Sequence, residues 1–355
     1  MSKKVQFLFV FLLVAIFSFS QKKDSLHISL YADAYYLWFP ETSKAERPIY
    51  TANYHQFNRT NLNFSAANLY YQNNHFRTGL GVMTGTYVKR NMGLEDKWAR
   101  NIYEASIGYR FTSDEDIWLD AGILPSHIGF ESVPAHQNWS ATRSIVADLS
   151  PYYETGLRLS YRPNTKWYFA ILSLNGWQRI TVPVNRLGES WGMQINFQPK
   201  KNWIINSSSF IGKVPSAGEH TTRIYSNLYS SLQLNNRTWL MAGWDWGIQD
   251  NNRNQWNDLL IQARYAIIED KFFGNMRYEY FADPQSLFLP DFTGGQHKVH
   301  LHSLNVDYLP VKLLMLRAEI NYQYASGNIF QKMGVPVNQQ FSLLFVASVK
   351  LDYAR

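Results

Sequence analysis

The chain has 355 residues, a formal net charge of +7 and no cysteine, which excludes a disulfide framework and a thiolate metal centre. Its basic residues are scattered singly beside acids or polar neighbours, so no nucleic-acid footprint is present. Aromatic residues make up 16% (23 Tyr, 22 Phe, 12 Trp) at a mean hydropathy of −0.31, where a soluble core with that many rings would carry more Leu, Ile and Val.

The chain opens with Met1-Ser2-Lys3-Lys4, an apolar run from Val5 to Phe17, and small residues at Ser18-Phe19-Ser20. This is the pattern of a secretory signal peptide over residues 1–20, cleaved before Gln21. The run is short for a membrane helix of about 20 residues and no stop-transfer charges follow it. Loss of Lys3 and Lys4 brings the charge from +7 to +5.

From residue 21 to residue 355 the sequence predicts one domain of sixteen strands. The first eight cover Leu26–Trp38, Thr60–Tyr71, Phe76–Thr86, Ile102–Phe111, Ile117–Leu124, Tyr153–Tyr161, Trp167–Leu174 and Ser190–Gln198. The second eight cover Trp203–Gly212, Arg223–Leu234, Trp239–Ile248, Asn257–Ile267, Phe272–Phe281, Lys298–Tyr308, Leu313–Tyr324 and Phe341–Tyr353. No stretch has the length and period of a helix. Strand side chains alternate between two faces. In Leu314 to Tyr324, Leu, Ala, Ile and Tyr fill one face, and Arg317, Glu319, Asn321 and Gln323 fill the other.

Alternation also fits a water-facing sheet, but the connections discriminate. Long ones (residues 40–59, 87–101, 125–152, 175–189, 213–222, 249–256, 282–297, 325–340) take turns with short ones such as 72–75 and 235–238. Tight periplasmic turns and long external loops on an even number of strands mark a transmembrane antiparallel up-and-down β-barrel, apolar outside and polar within. Rings near strand ends, Trp38, Trp167, Trp203, Trp239 and Tyr308 among them, match its interfacial girdles.

The run Asp120-Ala121-Gly122-Ile123-Leu124-Pro125-Ser126-His127-Ile128-Gly129-Phe130-Glu131-Ser132 is followed by Asn138-Trp139, Thr142-Arg143-Ser144 and Ser150-Pro151-Tyr152-Tyr153-Glu154-Thr155-Gly156. With Gly79-Leu80-Gly81-Val82-Met83-Thr84-Gly85-Thr86-Tyr87, it resembles the putative β-barrel porin-2, or OmpL-like, family of Gram-negative outer-membrane proteins. The resemblance implies a pore-forming barrel in the cell outer membrane, with no catalytic residues to carry over. It also implies that the aperiodic third long loop, 125–152, folds inward and narrows the pore. One departure from outer-membrane barrels generally is Ala354-Arg355 after Tyr353, where an aromatic residue usually ends the chain.

The expected constriction residues on that loop are His127, Glu131, His136, Arg143 and Asp148. The polar faces of the strands place Glu104, Arg110, Asp120, Arg158, Asp245, Arg264, Arg277, Glu279, Arg317 and Glu319, with Lys350 and Asp352, on a hydrated pore wall, paired for the most part across strands. Two other patterns carry less weight. Gly188-Glu189-Ser190-Trp191-Gly192 matches a nucleophile elbow but opens a strand rather than a helix, and His300 and His302, with His297 close by, have metal-ligand spacing without an acidic third ligand.

The expected activity is a passive diffusion channel for small hydrophilic solutes or ions, with lipid around it, no cofactor or metal, and room for a homo-oligomer. The rivals are an outer-membrane lipid hydrolase and a non-conducting structural or adhesion barrel.

Overall fold

The computed structural model describes residues 24–40, 51–182, 190–216, 219–249, 254–289, 292 and 297–355. The signal peptide expected over residues 1–20 lies outside them.

Strands β1 (Ser25–Trp38), β2 (Thr60–Gln72), β3 (Phe76–Thr84), β4 (Ile102–Arg110), β5 (Ile117–Pro125), β6 (Tyr153–Tyr161), β7 (Trp167–Leu174) and β8 (Ser190–Lys200) form the first half of a closed antiparallel sheet. The second half comprises β9 (Trp203–Ser216), β10 (Glu219–Asn235), β11 (Thr238–Gln249), β12 (Asn254–Ile268), β13 (Phe272–Asp283), β14 (His297–Val311), β15 (Leu314–Ala325) and β18 (Gln339–Ala354). Strands β16 (Phe330–Lys332) and β17 (Val335–Val337) make a separate hairpin in the last long loop. Each barrel strand pairs with its sequence neighbours, and β18 closes the ring on β1 from His27↔Ala354 to Trp38↔Leu343. Closure leaves no strand edge unpaired, which a wall in lipid requires.

All sixteen predicted barrel strands are present, and period 2 sorts their side chains as expected. In β15, Arg317, Glu319, Asn321 and Gln323 are buried inside, while Leu316, Ile320, Tyr322 and Tyr324 are exposed on the outer face. Leu80, in the middle of β3, is 49% exposed on that face. In a membrane this surface meets acyl chains, so Leu80→Arg is expected to cost about 2–4 kcal/mol, read by urea unfolding in phospholipid vesicles. An unchanged midpoint would put the face in water or against protein.

Three expectations need correction. Residues 213–222 are not a long loop, because β9 and β10 continue to Ser216 and Glu219 and remain in register to the last pair. Two short α-helices occur among the described residues, α1 (Thr86–Asn91) and α2 (Ile145–Leu149), with a 3-10 turn at Ala135–Gln137. Thr86, read as a strand end, starts α1 because Gly85 at φ +130 turns the chain out of the sheet. The shortness of α1 and α2, six and five residues, hid them from a periodicity reading.

Candidate functional site

The third long loop leaves β5 at Pro125 and enters the lumen instead of standing above the wall. Its first anchor is His127, whose Nδ1 lies 2.8 Å from Glu154 and whose Nε2 lies 2.8 Å from the Ser209 carbonyl. Burial alone would lower this imidazole, but the Glu154 carboxylate outweighs it and holds the pKa above its ordinary value. Ser208 Oγ donates to the His127 carbonyl at 2.7 Å, and the Gly129 amide donates to Asn227 at 3.3 Å.

The loop then crosses to β13, β14 and β15. Arg317 donates to the carbonyls of Ala135 (3.0 Å) and Asn138 (2.9 Å) while forking onto Asp307 at 2.5 and 2.7 Å. Asn305 donates to the Trp139 carbonyl at 3.0 Å, and Asn275 to Ser140 Oγ at 2.8 Å. Glu319 accepts from the amides of Ala141 (2.6 Å) and Thr142 (3.0 Å) and from the Thr142 hydroxyl. Arg277 donates to the Thr142 carbonyl at 2.5 Å and to its hydroxyl at 2.7 Å. Glu279 takes the amide of Ile145, the first residue of α2, at 2.6 Å, supplying an acceptor and a negative charge where a helix start presents unpaired N–H groups. Ser144 caps the same helix through Ala147 and gives its hydroxyl to Glu131 at 2.5 Å.

The wall charges fall into two zones. Beside the loop, Arg277, Glu279, Arg317, Glu319, Asp245 and Asp307 are buried, at no more than 3% exposure. The fully hydrated wall expected from the sequence is therefore wrong for this half: loop backbone replaces water as the partner of Arg277, Glu279, Arg317 and Glu319. Asp245 is held by Tyr225 (2.5 Å) and Asn227 (2.7 Å) and has no cross-strand cation among the described residues. It faces Asp258 in register instead, a like-charge pairing that single-strand patterns did not reveal.

Nearer the short turns the lumen is open. Arg77 donates to Asp120 at 2.6 and 2.5 Å, and Arg158 reaches the same carboxylate at 3.1 Å. Arg77 spans β4 to do so, and Gly108 on β4 makes room, since a Cβ there would lie 2.3 Å from Asp120 Oδ1. The two guanidiniums remain 27% and 21% exposed while Asp120 is 3% exposed. Lys350 pairs with Asp352 at 2.8 Å, and Arg264 with Asp307 at 2.9 Å. Glu104 is held by Ser106 at 2.7 Å, and Arg110 sits at the turn rim, donating to the Glu115 carbonyl at 3.0 Å.

The five loop residues do not form one ring. Arg143 stacks 3.8 Å from the Tyr152 ring centre and pairs with Asp148 at 3.3 Å, both buried away from open space. Glu131 lies 3.7 Å from Arg277, and burial pushes its carboxyl up against the opposing pull of that guanidinium and of Ser144. His136 is half-buried with both ring nitrogens covered, tilted over Tyr31 with ring centres 4.8 Å apart. Burial, then the Lys350 ammonium, push it from 6.5 down to about 4.

An unfolded His136 takes up its proton as pH falls through about 6.5, but the folded one resists until about 4, so stability declines across that window. Above about 6.5 the residue contributes no pH dependence. Melting curves from pH 7.5 to 4.5, roughly spanning that window, should show a shallower decline for His136→Gln. Equal slopes would reject the assignment.

Residues the sequence reading missed include Asp307, which shares a buried face with Ser303 and Asn305 and was legible by alternation. Glu95 was not: from the second long loop it accepts from Tyr153 (2.9 Å) and from the Ile180 and Thr181 amides (each 3.0 Å), tying two loops together. Ser190 begins β8 with its side chain buried against Gly212, while Gly188 and Glu189 lie outside the described residues. His297 is on the lumen face and His300 and His302 are on the outer face, so the three do not converge.

Comparison with solved structures returns outer-membrane proteins. The outer membrane channel DcaP of Acinetobacter baumannii superposes with a TM-score of 0.61 at 11% identity, covering 94% of this chain and 99% of that one. OmpT, an outer membrane protein of Vibrio cholerae, gives 0.58 at 12% identity over 94% and 100%. An anion-selective porin from Comamonas acidovorans gives 0.56 at 10% over 93% and 100%. At these identities the likeness is one of fold. No curated protein sequence matches the chain. The family model described as putative beta-barrel porin-2, OmpL-like, matches residues 25–351, and the chain belongs to that family of outer-membrane β-barrel porins.

Proposed function

We propose that this porin is a passive diffusion channel for small hydrophilic solutes whose narrowest passage is bounded by the third loop. The observation that carries the reading is the span of that loop from His127 to Arg317 and Glu319, on the far side of the ring. Selection is then a matter of width and local field, and no bond chemistry enters. Below the loop, the Arg77–Asp120–Arg158 row offers water two guanidiniums and an almost covered carboxylate, which favours anions.

Planar-bilayer recordings across a KCl gradient test both parts. The expected result is discrete conductance steps with a reversal potential of anionic sign, shifted toward neutrality by Arg77→Gln with Arg158→Gln. A cation-selective current would reject the second part alone.

A non-conducting barrel is the second reading. It is favoured by the apolar packing in the outer half, where Ile128 and Val146 of the third loop cluster with Phe210, Trp256, Leu289 and Phe330. It predicts correct insertion with current at background.

A further inference from the structure

The outer face of β13, β14 and β15 carries two rows of side chains that the lumen does not use. Tyr278 pairs in register with His302, and His302 with Tyr322. One step toward the long loops, Tyr280 pairs with His300, and His300 with Tyr324. The residues that alternate with them, Glu279, Leu301 and Gln323, are buried inside, which puts all six rings outside the wall.

The chemistry changes sharply along this face. One step toward the turns come Met276, Leu304 and Ile320, all exposed and apolar. One step toward the loops, β14 presents exposed Lys298. The Tyr278 hydroxyl lies 2.9 Å from His300 Nδ1, which fixes that ring, and among the described residues its Nε2 has no hydrogen-bond partner in the protein. His302 lies tilted against Tyr278 with ring centres 5.1 Å apart. Among the described residues neither His302 nitrogen has a hydrogen-bond partner in the protein. Every Asp and Glu of β12 to β15 and β18 that is described faces the lumen, so no carboxylate on this face can answer the donors.

Directly below the rows the wall is grooved. A depression of about 670 Å³ runs past Met276, Leu304, Ile320 and Leu343, deepened where Gly274 and Ala318 supply almost no side chain. The groove is apolar and begins where the Tyr–His rows end.

We infer that this face binds one phosphorylated lipid of the outer leaflet, its phosphate against His300, His302, the Tyr280 and Tyr324 hydroxyls and Lys298, and an acyl chain in the groove, while the Tyr322 hydroxyl is taken by Gln339 at 3.1 Å. Position fixes the class of ligand. At the lipid boundary on the long-loop side, donors with no carboxylate to pair with call for an anionic headgroup, and the apolar groove beneath calls for a chain attached to it. A second copy docking here would bring another outer face, and the described outer faces of β12 to β15 and β18 carry no carboxylate for these donors.

The test is native mass spectrometry of the full mature barrel with bis-phosphorylated lipid A as the probe, against the same lipid with its phosphates removed. Wild type should retain one phosphorylated lipid per chain, and the dephosphorylated probe should bind about tenfold more weakly. His300→Phe with His302→Phe should lose a similar factor, and Ala318→Leu, which fills the groove, should weaken both probes. Heat-modifiable gel mobility reports that each barrel is folded, and Tyr280→Phe gives a milder substitute where the double variant is not. Equal retention of both probes, or variants that alter subunit stoichiometry and leave lipid retention intact, would overturn the inference. Retention unaffected by conductance changes elsewhere keeps it separate from the channel reading.

Discussion

Deleting residues 130–147 is expected to raise single-channel conductance several-fold. The deletion removes the part of the third loop that crosses the lumen, from Phe130 through the Thr142 and Ile145 contacts to α2. What remains on the far wall is Arg277, Glu279, Arg317 and Glu319, now facing water. Ionised side chains cost little there, because a wide barrel lumen is hydrated and Arg317 keeps Asp307 as its partner. Sixteen strands enclose a channel wide enough to stay open without the loop. Current is measured in planar bilayers at fixed salt. A conductance equal to wild type would move the narrowest point elsewhere, to the apolar packing around Trp256, Leu289 and Phe330.

The second large effect is expected from Glu319→Ala. Glu319 is 1% exposed and takes both the Ala141 and Thr142 amides and the Thr142 hydroxyl, with Arg277 3.6 Å away. Truncation strands two loop amides, about 1–3 kcal/mol each, and removes one partner of a buried ion pair, which costs about 3–5 kcal/mol where the other cannot reach water. These terms overlap, and the loop can relieve them by leaving the wall. The variant should therefore show a lower melting temperature together with a fluctuating, larger current. Glu319→Gln keeps one acceptor oxygen and should fall between. A variant with wild-type melting and a steady current would show that the loop does not depend on this carboxylate.

These two variants act at contacts that the sequence could not have paired. Ala141 and Glu319 are 178 positions apart, and Ile145 and Glu279 are 134 apart. The local pattern puts Arg143 on the loop and Arg277 on a strand but gives neither its partners. The first is enclosed by Tyr152 and Asp148 and the second holds the loop to the wall, a difference set by where the chain lies in space. The same holds for His300 and His302, which look like His297 in sequence and sit on the opposite face.

The amino-acid sequence by itself determined the sixteen strands, their inside and outside faces and the closed wall, because period 2 is a local property that any lipid-facing strand must obey. It also marked residues 125–152 as an interruption of that period. Only the tertiary structure decided that wall charges beside the loop are buried rather than wet, that residues 213–222 continue two strands, and that a tyrosine–histidine face lies above an apolar groove. The reason is physical. Side-chain alternation is set by each strand alone, whereas burial and partnership are set by the register of strands closed into a ring and by what the loops place inside it.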